Sequence, residues 1–594
     1  MDTTQNLDEF LASIPETPHA FAEHEIRSKI EAIGRPYTEH EEEPSPELSA
    51  ELAALAFVED YPQDHWGTYY GPMFVLPNDQ GQMVEYPSIN ALTEPMIQYW
   101  QKRAHEATHP CLRLRYADLV WDLSESVCGK KPDYRIASIV IDATIETAKR
   151  QLHKHDVFTI KKLRRALDLA LSLNDKNRIA EVRDAIIEFE DAITQDDLPG
   201  TWGFAFETLL GNKRIPITDK QVRHIIESLE SRLIRLHDRP SPGTIEITAA
   251  ESAALKLERY YQSNQNSTYA HHAIRTYADI VEAAASALEP LVAHHWLCHL
   301  FSLLSSKGMG EEAAALTEQI RSTNESTVQN LKQIPHEISI SKDELEAYYD
   351  SFNKGSLEDA LTRVAGHFVP DLEQIVQPVK NLAEKAPLQA LIAHTILDHE
   401  GRAVAQIGSV ESDLEGRAIR QISQNLQIEA FFLRGVIDSV FSHFRPQADD
   451  LVQYLSRSPI FETEMKPALH AGLSTYLDED HISSICVLIP QIEATIRSLA
   501  KLIGAPLYRV GRHGGLVLRT LDNLLRDEAI SETLDSRVAS YFRILLTDQR
   551  GWNLRNNVCH GLVPPNMLGR GQADRVLHVL LLLSMLEARD APPN

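Results

Sequence analysis

Gly551-Trp552-Asn553-Leu554-Arg555-Asn556-Asn557-Val558-Cys559-His560-Gly561-Leu562 is the stretch on which the reading of the whole chain turns. It sets an arginine five residues ahead of a histidine, and Gly561 with Pro564-Pro565 then marks a stop. Apolar spacing upstream predicts one helix from about Ser536 to His560. On an ideal helix Asn556 and His560 share a face, whereas Arg555 lies about 140° from His560. Both side chains reach one site only if the helix end unwinds or a second subunit completes it.

Working outward, the preceding helix is expected over Ile482 to Leu502, with an apolar face of Ile485, Leu488, Ile492, Ile496 and Leu499 and a kink at Pro490. Glu493 and Arg497 stand four residues apart on it, close enough to pair. A loop over Gly504 to Gly515 and helices over Leu518 to Leu525 and about Ala573 to Ala588 complete a small four-helix bundle. No lysine follows Lys501, and Tyr508 to Arg570 holds nine arginines against six Asp or Glu. In a chain of formal net charge -27 this reads as a local positive region built from the side chain that forks around phosphate. Arg512, Arg519, Arg550 and Arg570 are its candidate RNA contacts.

A histidine near neutral pKa beside an arginine suits cleavage of RNA through its own 2′-hydroxyl. The imidazole moves the proton and the guanidinium holds the scissile phosphate, so the chemistry requires no metal or other cofactor. The competing structural use is a helix cap, with Arg555 on the terminal carbonyls and His560 as an ordinary last-turn residue. Spacing alone leaves both open.

The segment Arg555-Asn556-Asn557-Val558-Cys559-His560-Gly561 resembles the R-N-x-x-x-H form of the signature of the HEPN superfamily (higher eukaryotes and prokaryotes nucleotide-binding domains). Together with Leu488 to Glu493 and Arg497 it is similar to a family within that superfamily defined by an RNxxxHG motif. Thr108-His109-Pro110 and Tyr116 to Asp122 resemble the helical N-terminal region often joined to that family. The main resemblance covers about the last 120 residues. It implies a HEPN-like four-helix bundle, homodimerisation through the motif helices and metal-independent endoribonuclease activity, as in toxins and anti-phage defence effectors. Arg555 and His560 would be the catalytic pair, Asn556 the polar residue beside the arginine, and Glu493 with Arg497 the supporting pair. The partners implied are an RNA substrate, tRNA among the candidates, a second copy of the chain and a regulatory protein. Members that only bind RNA also exist, so the alternative is a non-catalytic scaffold and RNA- or protein-binding module that dimerises through the same bundle.

Upstream, 594 residues are too many for one core. Residues 1–66 carry 16 Asp or Glu against three Lys or Arg and read as an acidic segment of loosely attached helices, either a solvated surface or a shield over a basic site. Met73 to Leu76 and Met83 to Tyr86 flank an Asn-Asp-Gln-Gly turn and form the one strand pair the pattern predicts. From Pro95 the period is helical, giving an N-terminal helical domain over 67–200, further helical blocks over 201–335 and 336–470, and the bundle over 471–594. Tyr116-Ala117-Asp118-Leu119-Val120 and Tyr277-Ala278-Asp279-Ile280-Val281 echo each other, which suggests repeat-like stacking. The fold class is therefore mainly α, a helical-repeat-like scaffold with one small β-hairpin ahead of the bundle.

His294, His295, Cys298 and His299 fall at i,i+4 spacings that could chelate zinc, but no second pair accompanies them, so no metal is expected. Walker, dinucleotide-binding and nucleophile-elbow motifs are absent. Five scattered cysteines, no secretory signal and no apolar run near the roughly 20 residues of a membrane span point to a cytoplasmic protein with no membrane partner.

Overall fold

A computed structural model describes residues 3–39, 45–59, 66–78, 82–239, 243–330, 340–511 and 514–587. The protein is mainly α-helical, with 68% of it in helices and a few two-stranded sheets. The chain divides into two compact units, Met1–Ala315 and Leu316–Asn594.

In the first unit, helices Glu94–Glu106, Pro110–Cys128, Tyr134–Lys149, Asp156–Ser172 and Lys176–Ile193 pack each on the next. Their ends follow local chemistry. The His109 Nδ1 accepts the Cys111 N–H ahead of Pro110, and Gly129 closes the same helix in the left-handed region at φ 67°. Asp133 and Asp175 cap the helices that follow.

The described residues of the acidic N-terminal segment are packed into this unit rather than loosely attached. Leu7, Phe21, Ile30 and Leu48 are buried, and so is Glu51, which accepts hydrogen bonds from the Tyr116 hydroxyl at 2.6 Å and the Tyr99 hydroxyl at 2.8 Å. Part of the negative charge thus faces inward. Arg115 donates to Glu59 at 2.7 Å, while Asp118 accepts from the Tyr70 hydroxyl at 3.1 Å and from Arg165. Of the two echoed segments, Tyr116, Leu119 and Val120 are as deeply buried as Tyr277, Ile280 and Val281. Asp118 is buried whereas Asp279 is largely exposed, so the echo is one of packing and not of chemistry.

The expected hairpin forms over Phe74–Pro77 and Met83–Tyr86, with Phe74 opposite Tyr86; residues 79–81 of its turn lie outside the described residues. It is not the one strand pair. Among the described residues Val58–Glu59 pairs with Tyr70–Gly71, His394–Leu397 with Ala403–Ile407, and Tyr508–Val510 with Leu516–Leu518. These pieces are too short to show alternation against their helical surroundings.

One hydrophobic core serves the second unit, running from Phe352 to Leu583 and so crossing residue 470, where the sequence reading places a boundary. Its centre is the helix Arg570–Leu583, in which every residue from Ala573 to Leu583 is buried. The 31-residue helix Leu414–Phe444 and the helix His481–Ile503 pack on it, the latter continuous through Pro490. His481–Leu502 is also long and apolar enough to cross a bilayer by length and composition, yet half of it is buried inside the unit.

The central helix carries a buried polar seam. The Tyr541 hydroxyl donates to His578 Nδ1 at 3.0 Å, and His578 Nε2 donates to the Ala365 carbonyl at 3.0 Å, which fixes the neutral tautomer. Burial, aided by the Arg575 charge, pushes the His578 pKa down to about 3; burial and Lys162 push His153 of the first unit to about 3 as well. Both imidazoles are neutral when folded and bind a proton below about 6.5 when unfolded. Their stabilisation is complete above that pH and declines as pH falls from 6.5 towards 3, by about 1.4 kcal/mol per pH unit for each histidine. Urea unfolding midpoints should therefore fall between pH 7.5 and pH 5, and His578→Gln should flatten that dependence for the second unit.

Candidate functional site

The helix expected over Ser536 to His560 is broken. It runs over Ser536–Leu546, stops at Thr547, and resumes as the motif helix Leu554–Cys559. The chain between doubles back on the first piece: the Asp548 N–H donates to the Arg543 carbonyl at 2.8 Å and the Trp552 N–H to the Ile544 carbonyl at 2.9 Å. Gly551 allows this return, because a Cβ there would lie 2.2 Å from the Ile544 carbonyl oxygen. The Trp552 indole then donates to the Ser423 carbonyl at 3.2 Å, pinning the turn to the long helix.

Asparagines tie the turn to the motif helix. Asn553 sits in the left-handed region at φ 49°, a conformation asparagine tolerates. The Asn556 side-chain amide donates to Asn553 Oδ1 at 2.7 Å and to the Thr547 carbonyl at 3.3 Å, while Asn557 donates to the Trp552 carbonyl at 3.2 Å. At the other end Gly561, at φ 65°, donates to the Val558 carbonyl, and Leu562 donates to the Asn557 carbonyl at 2.8 Å. These two bonds form a Schellman motif that satisfies the terminal carbonyls with backbone alone.

Arg555 is consequently not the cap of its helix. Its Nε and one terminal nitrogen both lie 2.8 Å from Glu493 Oε2, and its other terminal nitrogen donates to Asn556 Oδ1 at 2.9 Å. Glu493 belongs to the helix His481–Ile503 and also accepts from Arg497, its i+4 neighbour. Arg555, Asn556, Glu493 and Arg497 thus form one partly buried network in which a single carboxylate serves two guanidinium groups, leaving an excess positive charge. One terminal nitrogen of Arg497 is buried with no partner in the described residues. His560 stands apart as the exposed C-cap residue, and its ring makes no hydrogen bond or ion pair within the described residues. The neighbouring Cys559 thiol is pushed up by burial, partly offset by Arg555.

The arginines expected to contact RNA are placed differently. Arg519 donates to Asp527 at 2.8 Å and to the Pro506 and Asn523 carbonyls. Arg550 pairs with Asp548 at 2.9 Å and lies within 4 Å of Asp413 and Glu415, and Arg570 pairs with Asp438 and Asp574. Carboxylates outside the counted window neutralise much of its charge. Arg512 lies outside the described residues. Arg509, exposed on the hairpin that the sequence reading treats as a loop, pairs with Val517 through the backbone, and its side chain makes no hydrogen bond or ion pair among the described residues. Tyr508-Arg509-Val510 and Leu516-Val517-Leu518 around Gly514-Gly515 are the signal by which that hairpin could have been found. Among the histidines considered for zinc, His299 pairs with Glu251 at 2.7 Å and His294 lies against Cys298.

Residues 10–182, within the first unit, match a family described as a domain of unknown function, DUF7380. No curated protein matches the chain, and no solved structure does.

Proposed function

We propose that the chain is a HEPN-type endoribonuclease, a toxin or anti-phage defence effector of the cytoplasm, that cleaves RNA without a metal at a composite site formed by two copies. The observation that carries this reading is the division of labour at the motif helix. Backbone bonds satisfy its terminal carbonyls, which frees Arg555 from capping, and Glu493 and Asn556 hold the guanidinium in a set orientation. His560 keeps an exposed imidazole that makes no hydrogen bond or ion pair among the described residues. An arginine aimed by a carboxylate is suited to a phosphate, and an exposed imidazole to moving a proton.

In the proposed reaction one imidazole takes the proton of the RNA 2′-hydroxyl, whose oxygen attacks the adjacent phosphorus. As the new 2′-oxygen–phosphorus bond forms, the bond to the 5′-oxygen breaks, and the imidazolium of the second copy protonates the leaving oxygen. The products are a 2′,3′-cyclic phosphate and a 5′-hydroxyl. Arg555 stabilises charge on the non-bridging oxygens, with Glu493 and Arg497 as its positioning residues. A second copy supplies the second imidazole, and isologous pairing of the motif helices brings the two together.

The test is incubation of the purified chain with total RNA, with and without chelator, followed by end-group analysis. Cleavage that persists in chelator and leaves 2′,3′-cyclic phosphates is expected. Intact RNA that the protein nevertheless retards on a gel would favour the non-catalytic binding module, and cleavage lost on chelation would overturn the mechanism.

A further inference from the structure

A cavity of about 400 Å³ opens in the second unit between helix Leu372–Lys385, strand His394–Leu397 and helix Leu414–Phe444. One wall is apolar, with Val379, Leu382 and Ile392. The same space is lined by Arg417, Arg420 and His394, and no described carboxylate lines it.

Several other buried arginines of the chain are paired with carboxylates. Arg115, Arg165, Arg232, Arg519 and Arg555, all partly or fully buried, each face an Asp or Glu. Arg417 is only 8% exposed, yet its donors go to neutral groups: the Gly408 carbonyl at 2.8 Å, the Ile392 carbonyl, and the His394 ring, whose Nε2 lies at 3.1 Å. These bonds set the guanidinium rigidly at the cavity. Arg420, one turn further along the helix, is partly buried and makes no hydrogen bond or ion pair within the described residues. Burial and the neighbouring Arg417 charge hold its pKa below the usual guanidinium range, and burial with both arginines lowers His394. Two arginines side by side in a partly dry space repel each other unless an anion sits between them. In a protein of net charge -27, two neighbouring arginines with no described carboxylate lining their cavity favour a negative guest.

We propose that this cavity binds a small organic oxyanion, a carboxylate or phosphate head carrying an apolar body, with the head between Arg417 and Arg420 and the body along Val379 and Leu382. The volume lies within the range of small-molecule sites, and the combination of an apolar wall with a few convergent polar groups is their usual make-up. The head takes charge-assisted bonds from the forked donors of Arg420, which have no other partner among the described residues. Neither an inorganic ion nor an uncharged apolar molecule uses both the arginines and the apolar side chains.

Calorimetric titration of the full chain tests this with four probes: octanoate, phenyl phosphate, 1-octanol and inorganic phosphate. At least one of the first two should bind about ten-fold or more tighter than the last two, the difference made by one charge-assisted contact or by the apolar body. The preference between octanoate and phenyl phosphate shows which combination of head and body the space takes. Arg420→Gln should weaken the preferred probe by about ten-fold or more without lowering the unfolding midpoint, since this side chain has no partner among the described residues to lose and its repulsion with Arg417 is relieved. Leu382→Glu, which sets a carboxylate on the apolar wall, should weaken it too. No binding of either organic anion at millimolar concentration, or full affinity in both variants, would overturn the proposal. Displacement of the probe by a short RNA would also overturn it, reassigning the two arginines to a nucleic-acid surface.

Discussion

His560→Ala is expected to lower RNA cleavage by about 10²- to 10⁴-fold, the range that one general acid–base group supplies. Fold and oligomeric state should stay unchanged. The imidazole is exposed and makes no hydrogen bond in the described residues, so its removal should alter stability by less than about 0.5 kcal/mol. Single-turnover cleavage of a defined RNA, with thermal unfolding as the control, separates the two quantities. Glu493→Gln should behave differently. The neutral amide still accepts from Arg555 but no longer balances two guanidinium groups, so the maximal rate should fall less than in His560→Ala while the unfolding midpoint drops. A His560→Ala protein that cuts at the wild-type rate would end the endoribonuclease proposal, whatever Glu493→Gln does.

Much of the fold was legible because helices announce themselves locally. The helical period that sets in at Pro95 matches the series that begins with helix Glu94–Glu106 and continues through Pro110–Cys128 to Lys176–Ile193. The stop at Gly561 was legible as well, because a left-handed glycine after a last helical turn is a local device. The break at Thr547 was not. It depends on the approach of Gly551 to the Ile544 carbonyl and on the docking of Trp552 at Ser423, contacts made across the fold that leave no period in the chain. The arginine count failed for a related reason. It weighed Arg550 and Arg570 against carboxylates in the same window, whereas Asp413, Glu415 and Asp438 reach them from a helix and its cap more than 100 residues upstream. Glu493 and Arg497 were readable as a helical pair, but the third member, Arg555, joins them only in three dimensions. The cavity around Arg417 and Arg420 was equally invisible, since its significance lies in the lack of a carboxylate among its described lining residues.

Gly551→Ala is expected to cost about 3 kcal/mol, the upper end of ordinary overpacking, because the new methyl would meet a backbone oxygen 2.2 Å away rather than a side chain that could swing aside. Relief requires the 547–553 turn to lift off the Ser536–Leu546 helix, which would strain the Trp552 bond to the Ile544 carbonyl and the amide ties of Asn553 and Asn556. Those ties set where the motif helix begins, and hence where Arg555 meets Glu493. Loss of stability and loss of any cleavage activity should therefore appear together. Gly561→Ala is the informative contrast: nothing lies within 4 Å of a Cβ there, but φ is 65°. Its cost is purely conformational, about 1 to 2 kcal/mol, and falls on the far end of the motif helix, beyond the Arg555 network. Urea unfolding midpoints should place Gly551→Ala well below Gly561→Ala, with cleavage reduced far more in the former. Equal midpoints would mean that the turn accommodates a methyl group without moving, and the packing of Gly551 against Ile544 would then not be what positions Arg555.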